Sequence, residues 1–327
     1  MSRNEPKKQH YVPQFLLRNF ALGKKKRVHV YDLKAGKSFV SHVRDIGHEN
    51  NFYHHPYNGN EMEHALSELE AEVAPIIDGV LATSSIAHLS EEDQGILARF
   101  TIIQMMRVNA FREDLTEISD LILERFSDED VVRGSQADKL LQEIASNNSK
   151  QSSIDMLWNL PEQLLPHLLD KHLSLQQAPK GSSFYISDNP IVKYNYFPQE
   201  YRGNLGLALK GIEVHFPISP KYCLSYLCSE VVQDVRKSVE RHHLAVVMNG
   251  EQVQDQTEAL RLLNQIDTQK TQLLSKENME HHNSLQVLYC SRFIYSSRDD
   301  FSLLKTMLAD NPSLANKRRV SNGSHIF

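Results

Sequence analysis

Two glutamates set the first chemical question. Glu63 and Glu70 stand seven residues apart in a stretch whose apolar residues recur with helical spacing. Seven residues rotate a helix by about 700°, so both carboxylates point nearly the same way, ~10.5 Å apart along the axis. Both border the apolar face, whereas Glu68 and Glu72 point away. Carboxylates so placed can hold a divalent cation together with Asp188, or serve as general acid and base. They can equally answer Arg18 and Arg107 in a structural network, because a buried charge left unpaired is costly. Gln104 and Arg107 pose the matching question, since they interrupt the stripe Leu97, Phe100, Gln104, Arg107, Phe111. A guanidinium offers five donors in a fixed fork, suited to a carboxylate or a phosphate. Arg107 either meets Glu63 or Glu70, or it reads the anionic group of a ligand.

His10 precedes a short helix over 13–20 that Pro13 can start. An imidazole there can move a proton, ligate a metal, or cap and pack locally. Gln14 and Arg18 lie four apart on one face of that helix, where they can position a substrate. Ser187-Asp188-Asn189-Pro190 falls between two expected strands. Asp188 can cap its own turn, or act as a strand-end acid that collects a metal ion. Three adjacent histidine pairs, His54-His55, His242-His243 and His281-His282, chelate poorly because neighbouring side chains diverge. No GxxxxGK(S/T), GxGxxG, HExxH or GxSxG pattern occurs. That argues against a P-loop ATPase, a nucleotide dehydrogenase, a zinc protease and a standard esterase.

The charge is uneven. Residues 1–37 carry ten Lys or Arg against Glu5 and Asp32, a net +8, and the whole chain is −5, so the remainder is −13. A basic end on an acidic body can hold a phosphate-bearing partner such as nucleic acid. The plainer reading is a solvated end that pairs with the body. Cys223, Cys228 and Cys290 lack CxxC spacing, which points to reduced thiols and a cytoplasmic protein. No stretch approaches the ~20 apolar residues that span a bilayer, so no membrane association is expected.

These residues need elements to place them. Arg27–Asp32 and Lys37–Val40 alternate around a turn containing Gly36, which predicts a hairpin. Residues 41–60 read as a loop. Helices are expected over 61–82, 90–112, 113–126, 128–146 and 151–176. Strands are expected at 184–186, 191–193, 212–216, 222–226 and 292–295, with helices over 229–243, 255–277 and 278–291. The fold class is therefore α+β: a largely helical middle, about 61–176, packed with a small, mostly antiparallel sheet from N- and C-terminal strands. One domain spans 1–310, followed by a polar tail over 311–327. The long helices leave surface for a homo-oligomer.

The run Gln9-His-Tyr-Val-Pro-Gln-Phe-Leu-Leu-Arg-Asn-Phe20 resembles the signature of a bacterial family called domain of unknown function 4238. Later features follow the same order. They are Val30-Tyr-Asp32, Asn51-Phe-Tyr53, Glu63 and Glu70, Gln104-x-x-Arg107, and Ser187-Asp-Asn-Pro190. Phe216-Pro-Ile-Ser-Pro220, Asn283 and Arg292-Phe-Ile-Tyr295 complete the series. The likeness covers roughly 8–297. One departure is Val108-Asn109 after Arg107, where a small residue and a proline are expected, so the end of that helix is open. The resemblance implies no settled activity. From the residues themselves, the leading expectation is a hydrolase of phosphodiesters: a metal-dependent nuclease, with phage defence as its setting. His10, Glu63, Glu70 and Asp188 would be catalytic, and the three acids would hold Mg²⁺ or Mn²⁺. Gln14, Arg18, Gln104 and Arg107 would bind substrate. The alternative is a non-catalytic binding or regulatory module whose polar residues fix the fold.

Overall fold

The structure is a computed structural model that describes residues 8–54, 61–126, 131–146, 148–197, 205–249, 252 and 255–316. The chain opens with β1 (Lys8–His10) and α1 (Gln14–Asn19), followed by β2 (Arg27–Asp32), β3 (Lys37–His42) and β4 (His48–Asn50). Helices α2 (Glu61–Thr83), α3 (Glu91–Met106), α4 (Asn109–Arg125), α5 (Gln136–Ser146), α6 (Ser149–Asn159) and α7 (Pro161–Leu169) form the middle. Strands β5 (His172–Gln177), β6 (Ile186–Ser187), β7 (Val192–Asn195), β8 (Ile212–Pro217) and β9 (Tyr222–Leu227) come next. The described chain closes with α8 (Ser229–Asn249), α9 (Thr257–Asp267), β10 (Gln272–Leu273), α10 (Lys276–Tyr289), β11 (Phe293–Ser296) and α11 (Ser302–Asp310). The α+β class holds. The polar tail expected over 311–327 begins as a 3-10 turn, Pro312–Asn316, with Leu314 buried, and from 317 it lies outside the described residues. Arg3 and Lys7 of the basic segment also lie outside them.

Three sheets organise the strands. β1 and β4 form an antiparallel pair that sets His10 opposite His48. A four-stranded antiparallel sheet runs β3-β2-β11-β6, joining N- and C-terminal strands as the alternation predicts. A larger sheet runs β10-β5-β9-β8-β7, antiparallel except where β10 meets β5. One face of this sheet meets α3. Phe100 stacks on Phe216 at 5.9 Å, and Thr101 Oγ1 lies 3.3 Å from Tyr226 Oη. Helix α2 buries Met62, Leu66, Leu69, Val73, Ile77 and Val80 along one stripe, as its spacing dictates. Ser90 and Asp93 close a capping box at the start of α3.

Several sequence expectations change, among them the helix expected over 255–277, which ends at Asp267 before Gln272–Leu273 pairs with β5. The helix expected over 90–112 is two helices: α3 stops at Met106 and Val108 caps α4. The break has a cause in side chains from elsewhere, because Tyr53 Oη donates to the Arg107 carbonyl at 2.9 Å while the guanidinium reaches back to strand β1. The helix expected over 151–176 is two helices, α6 to Asn159 and α7 to Leu169, and His172–Gln177 is instead paired with β9. The loop expected over 41–60 contains β4, which finds its partner in β1.

Candidate functional site

The N-terminal motif builds one polar assembly. Gln9 is fully buried in β1, and its Oε1 accepts the Tyr53 N–H at 2.6 Å. This bond ties β1 to the Asn51-Phe-Tyr53 turn. Gln104 Nε2 donates to the Tyr11 carbonyl at 2.8 Å. Arg107 Nη2 donates both to the His10 carbonyl, at 2.9 Å, and to Glu70 Oε1, at 2.6 Å. The Arg107 side chain is 1% exposed and that of Glu70 28%, so the pair is a buried cation on a carboxylate at the rim. Burial opposes the charge on Arg107, but the neighbouring Tyr53 and Glu70 outweigh it and hold its pKa above the usual value. Glu63 joins from the same face of α2. Burial raises its carboxyl pKa, Arg107 opposes that rise and Glu70 adds to it. His10 packs edge-on to His48 with ring centres 5.2 Å apart, and its Nδ1 lies 3.5 Å from Gln14 Nε2. Burial, and then His48, lowers the His10 pKa to about 4, so the ring is neutral at ordinary pH.

This assembly gathers His10, Gln14, Glu63, Glu70, Gln104 and Arg107. It does not include Arg18 or Asp188. Arg18 is exposed on α1, one turn beyond Gln14. Asp188 is buried at the junction of α10 and β11, where its two oxygens accept three backbone N–H groups. Ser291 donates at 2.8 Å, Arg292 at 2.7 Å and Phe293 at 2.9 Å. Burial outweighs those bonds and raises its pKa to about 6. With its oxygens so engaged and Glu70 on Arg107, the three acids do not fit a shared Mg²⁺ or Mn²⁺ ion. Among the described residues, no group of three or more His, Cys, Asp or Glu side chains is arranged to hold a metal.

A second polar assembly sits on the five-stranded sheet, on the face away from α3. Along β8 the side chains alternate: Val214 and Phe216 enter the main core, and Glu213 and His215 face a cavity of about 190 Å³. Gln176 of β5 lies on the same face, and α8, α9 and α10 close over it with Val232, Leu262 and His282. A chain of hydrogen bonds runs beneath the cavity. Ser225 Oγ donates to Gln176 Oε1 at 2.7 Å, and His215 Nδ1 lies 2.8 Å from Ser225 Oγ. Gln176 Nε2 is 3.5 Å from Gln272 Oε1.

This chain selects the histidine tautomer. An amide oxygen can only accept, so the serine proton is committed to Gln176. His215 Nδ1 must then carry a proton and donate it to Ser225, which leaves Nε2 with its lone pair. Nε2 lies 3.6 Å from Glu213 Oε2. Burial raises the Glu213 carboxyl pKa to about 7, with Lys171 opposing. Burial, then His282 and His281, pulls His215 well below its ordinary value. Near neutrality the imidazole is therefore neutral and Glu213 is partly protonated, so the two do not form a permanent ion pair. Ser225 is fully buried, so it serves as a link in the chain and not as an open nucleophile.

Sequence reasoning missed Glu213, His215, Ser225 and Gln176. The available signal was Ile212-Glu-Val-His-Phe216, in which acid and imidazole alternate with apolar residues in one strand. The adjacent pair His281-His282 does diverge: His282 packs on His215 with ring centres at 4.4 Å, and His281 on Tyr194 at 4.7 Å. Among the described residues, no helix is long and apolar enough to cross a membrane. No curated protein and no solved structure matches the chain. A family model does match, described as protein of unknown function (DUF4238), over residues 8–300. With that match across most of its length, and with the buried Gln9, Gln104 and Arg107 giving the N-terminal signature a physical role, the chain belongs to the DUF4238 family.

Proposed function

We propose that the protein is an enzyme whose chemistry is proton transfer at Glu213 and His215. The observation that carries this reading is the Gln176–Ser225–His215 chain, which fixes one imidazole tautomer and aims its free nitrogen at a carboxyl that burial lifts to about 7. Among the described residues, those lining the cavity include no lysine or arginine, so it suits an uncharged substrate, an ester or amide of modest size. His215 Nε2 takes a proton from water, the hydroxide adds to the carbonyl carbon, and the protonated Glu213 gives its proton to the leaving group. The test is turnover of p-nitrophenyl acetate and butyrate by wild type and His215→Gln, with a phosphonofluoridate probe for Ser225. Loss of turnover in His215→Gln, with Ser225 unlabelled, supports the reading. Equal turnover in both proteins overturns it.

A second reading rests on the N-terminal assembly. Among the described residues, Arg107 Nε and Nη1 are buried without an acceptor, and so is His10 Nε2. Such donors match a phosphate oxygen, and the basic arm would attract a nucleic-acid backbone. In that reading the chain binds or cuts phosphodiesters, with defence against phage as a setting. Cleavage of bis(p-nitrophenyl) phosphate, with and without Mg²⁺ or Mn²⁺, checks it against Glu63→Gln. An unchanged rate in the variant removes this assembly from the chemistry.

A further inference from the structure

A different cavity, of about 260 Å³, lies among α3, α4, α6 and β7, with Met105, Met106 and Met156 on its apolar walls. Among the described residues that line it the one cation is Lys193, which pairs across the sheet with Val214. Paired residues share a face, and Val214 belongs to the main core, so Lys193 faces away from Glu213 and His215. The site is thus independent of the proton-transfer cavity. Among the described residues, no hydrogen bond or ion pair holds the Lys193 ammonium. Asp114 also lines the cavity and acts on Lys193 only through space. Burial lowers the lysine pKa and Asp114 opposes that fall. An ammonium without a partner in apolar surroundings is destabilising, and a carboxylate brought in by a ligand would supply that partner.

We propose that this cavity binds an apolar carboxylate, a medium-chain fatty acid, with its chain among the methionines and its carboxylate on Lys193. Methionine side chains are flexible and polarizable, so they adapt to an alkyl chain in many conformations. A water-sized group takes about 30 Å³ in a liquid, so the cavity has room for roughly nine non-hydrogen groups. That is close to the size of octanoate. The single cation and the nearby Asp114 disfavour a doubly charged head group. A neutral alcohol fills the same walls but leaves Lys193 unanswered.

Isothermal titration calorimetry on the full chain tests the proposal, with octanoate and 1-octanol as probes below their aggregation limits. The variants are Lys193→Gln, which keeps the walls, and Met156→Trp, which fills the cavity. Circular dichroism melting confirms that each is folded. The expected result is octanoate binding to wild type, at least tenfold weaker binding to Lys193→Gln with 1-octanol unchanged, and loss of both ligands in Met156→Trp. No octanoate binding to wild type, or equal binding to Lys193→Gln, overturns the proposal. So does octanoate binding that survives Met156→Trp.

Discussion

The two polar assemblies use opposite electrostatics. At the N-terminal joint, Arg107 is a full charge buried at 1% exposure, and its partners are a backbone carbonyl and a rim carboxylate. On the five-stranded sheet, Glu213 and His215 lie close together with the imidazole neutral and the carboxyl partly protonated, so neither carries a permanent charge. The joint connects β1 to α2 and α3, elements that sequence neighbours do not hold together. The sheet-face assembly connects no distant elements by charge. It surrounds a cavity instead. The contrast teaches that a conspicuous charge can mark where a fold is fastened, while a buried carboxyl lifted to about 7 beside a neutral imidazole marks where a proton can move.

The widest separation between the assemblies is expected in His215→Gln. Turnover in the ester assay should fall by about 10²–10⁴-fold. Stability should change by only about 1 kcal/mol, since one hydrogen bond to Ser225 is at stake. A stability loss without a rate loss would erase the distinction. Arg107→Ala should do the reverse. Removing one partner of a buried ion pair costs about 3–5 kcal/mol, read as a lower urea midpoint, and the protein that remains folded should keep its turnover.

A pH series sharpens the comparison further. Burial raises the Glu213 carboxyl from 4.5 to about 7. Between those values the folded protein holds a proton that the unfolded chain has released, so this group's contribution falls as pH rises. The neutral His10 and His282 act in the opposite sense. Their pKa values drop from 6.5 to about 4 and about 3, chiefly through burial, so their contribution is lost as pH falls below 6.5. In wild type these slopes oppose one another from about pH 4.5 to 6.5. Glu213→Gln removes one of them, so its stability should climb more steeply with pH than wild type. The gap should be about 3 kcal/mol by pH 7, checked by urea melts across the range. Parallel curves would show that Glu213 titrates normally. The smallest effect is expected at Arg18, which belongs to neither assembly: Arg18→Ala should lie within about 0.5 kcal/mol of wild type.

Local pattern made much of the fold legible. The α2 stripe, the β2–β3 hairpin and the strands 212–216 and 222–226 follow from periodicity and turn residues. What stayed hidden depended on partners distant in sequence. Val108-Asn109 leaves the end of that helix open but does not fix it, because the groups that stop it, Tyr53 and the His10 carbonyl, arrive from the turn after β4 and from β1. His172–Gln177 continues a helical pattern and becomes a strand because β9 offers it a ladder. The N-terminal assembly could be anticipated from an arginine on an apolar stripe. The sheet-face assembly leaves only the alternation of acid and imidazole along Ile212–Phe216, and nothing local in it announces Gln176 and Ser225, the partners that other strands bring to that face.

The middle position of β11 in its sheet also has a consequence in time. It lies between β2 and β6, and Arg292 grips Asp32 through two hydrogen bonds at 2.9 and 2.7 Å. During synthesis the β2–β3 hairpin emerges first and must wait for β11, more than 250 residues later. At roughly 5–20 residues per second that interval is on the order of 10–50 seconds. Throughout it the β2 edge is an open template, able to recruit a stray strand from another nascent chain. Ribosome-bound intermediates halted before residue 293 should therefore be the aggregation-prone ones, and release of the last strand is the step that closes the molecule.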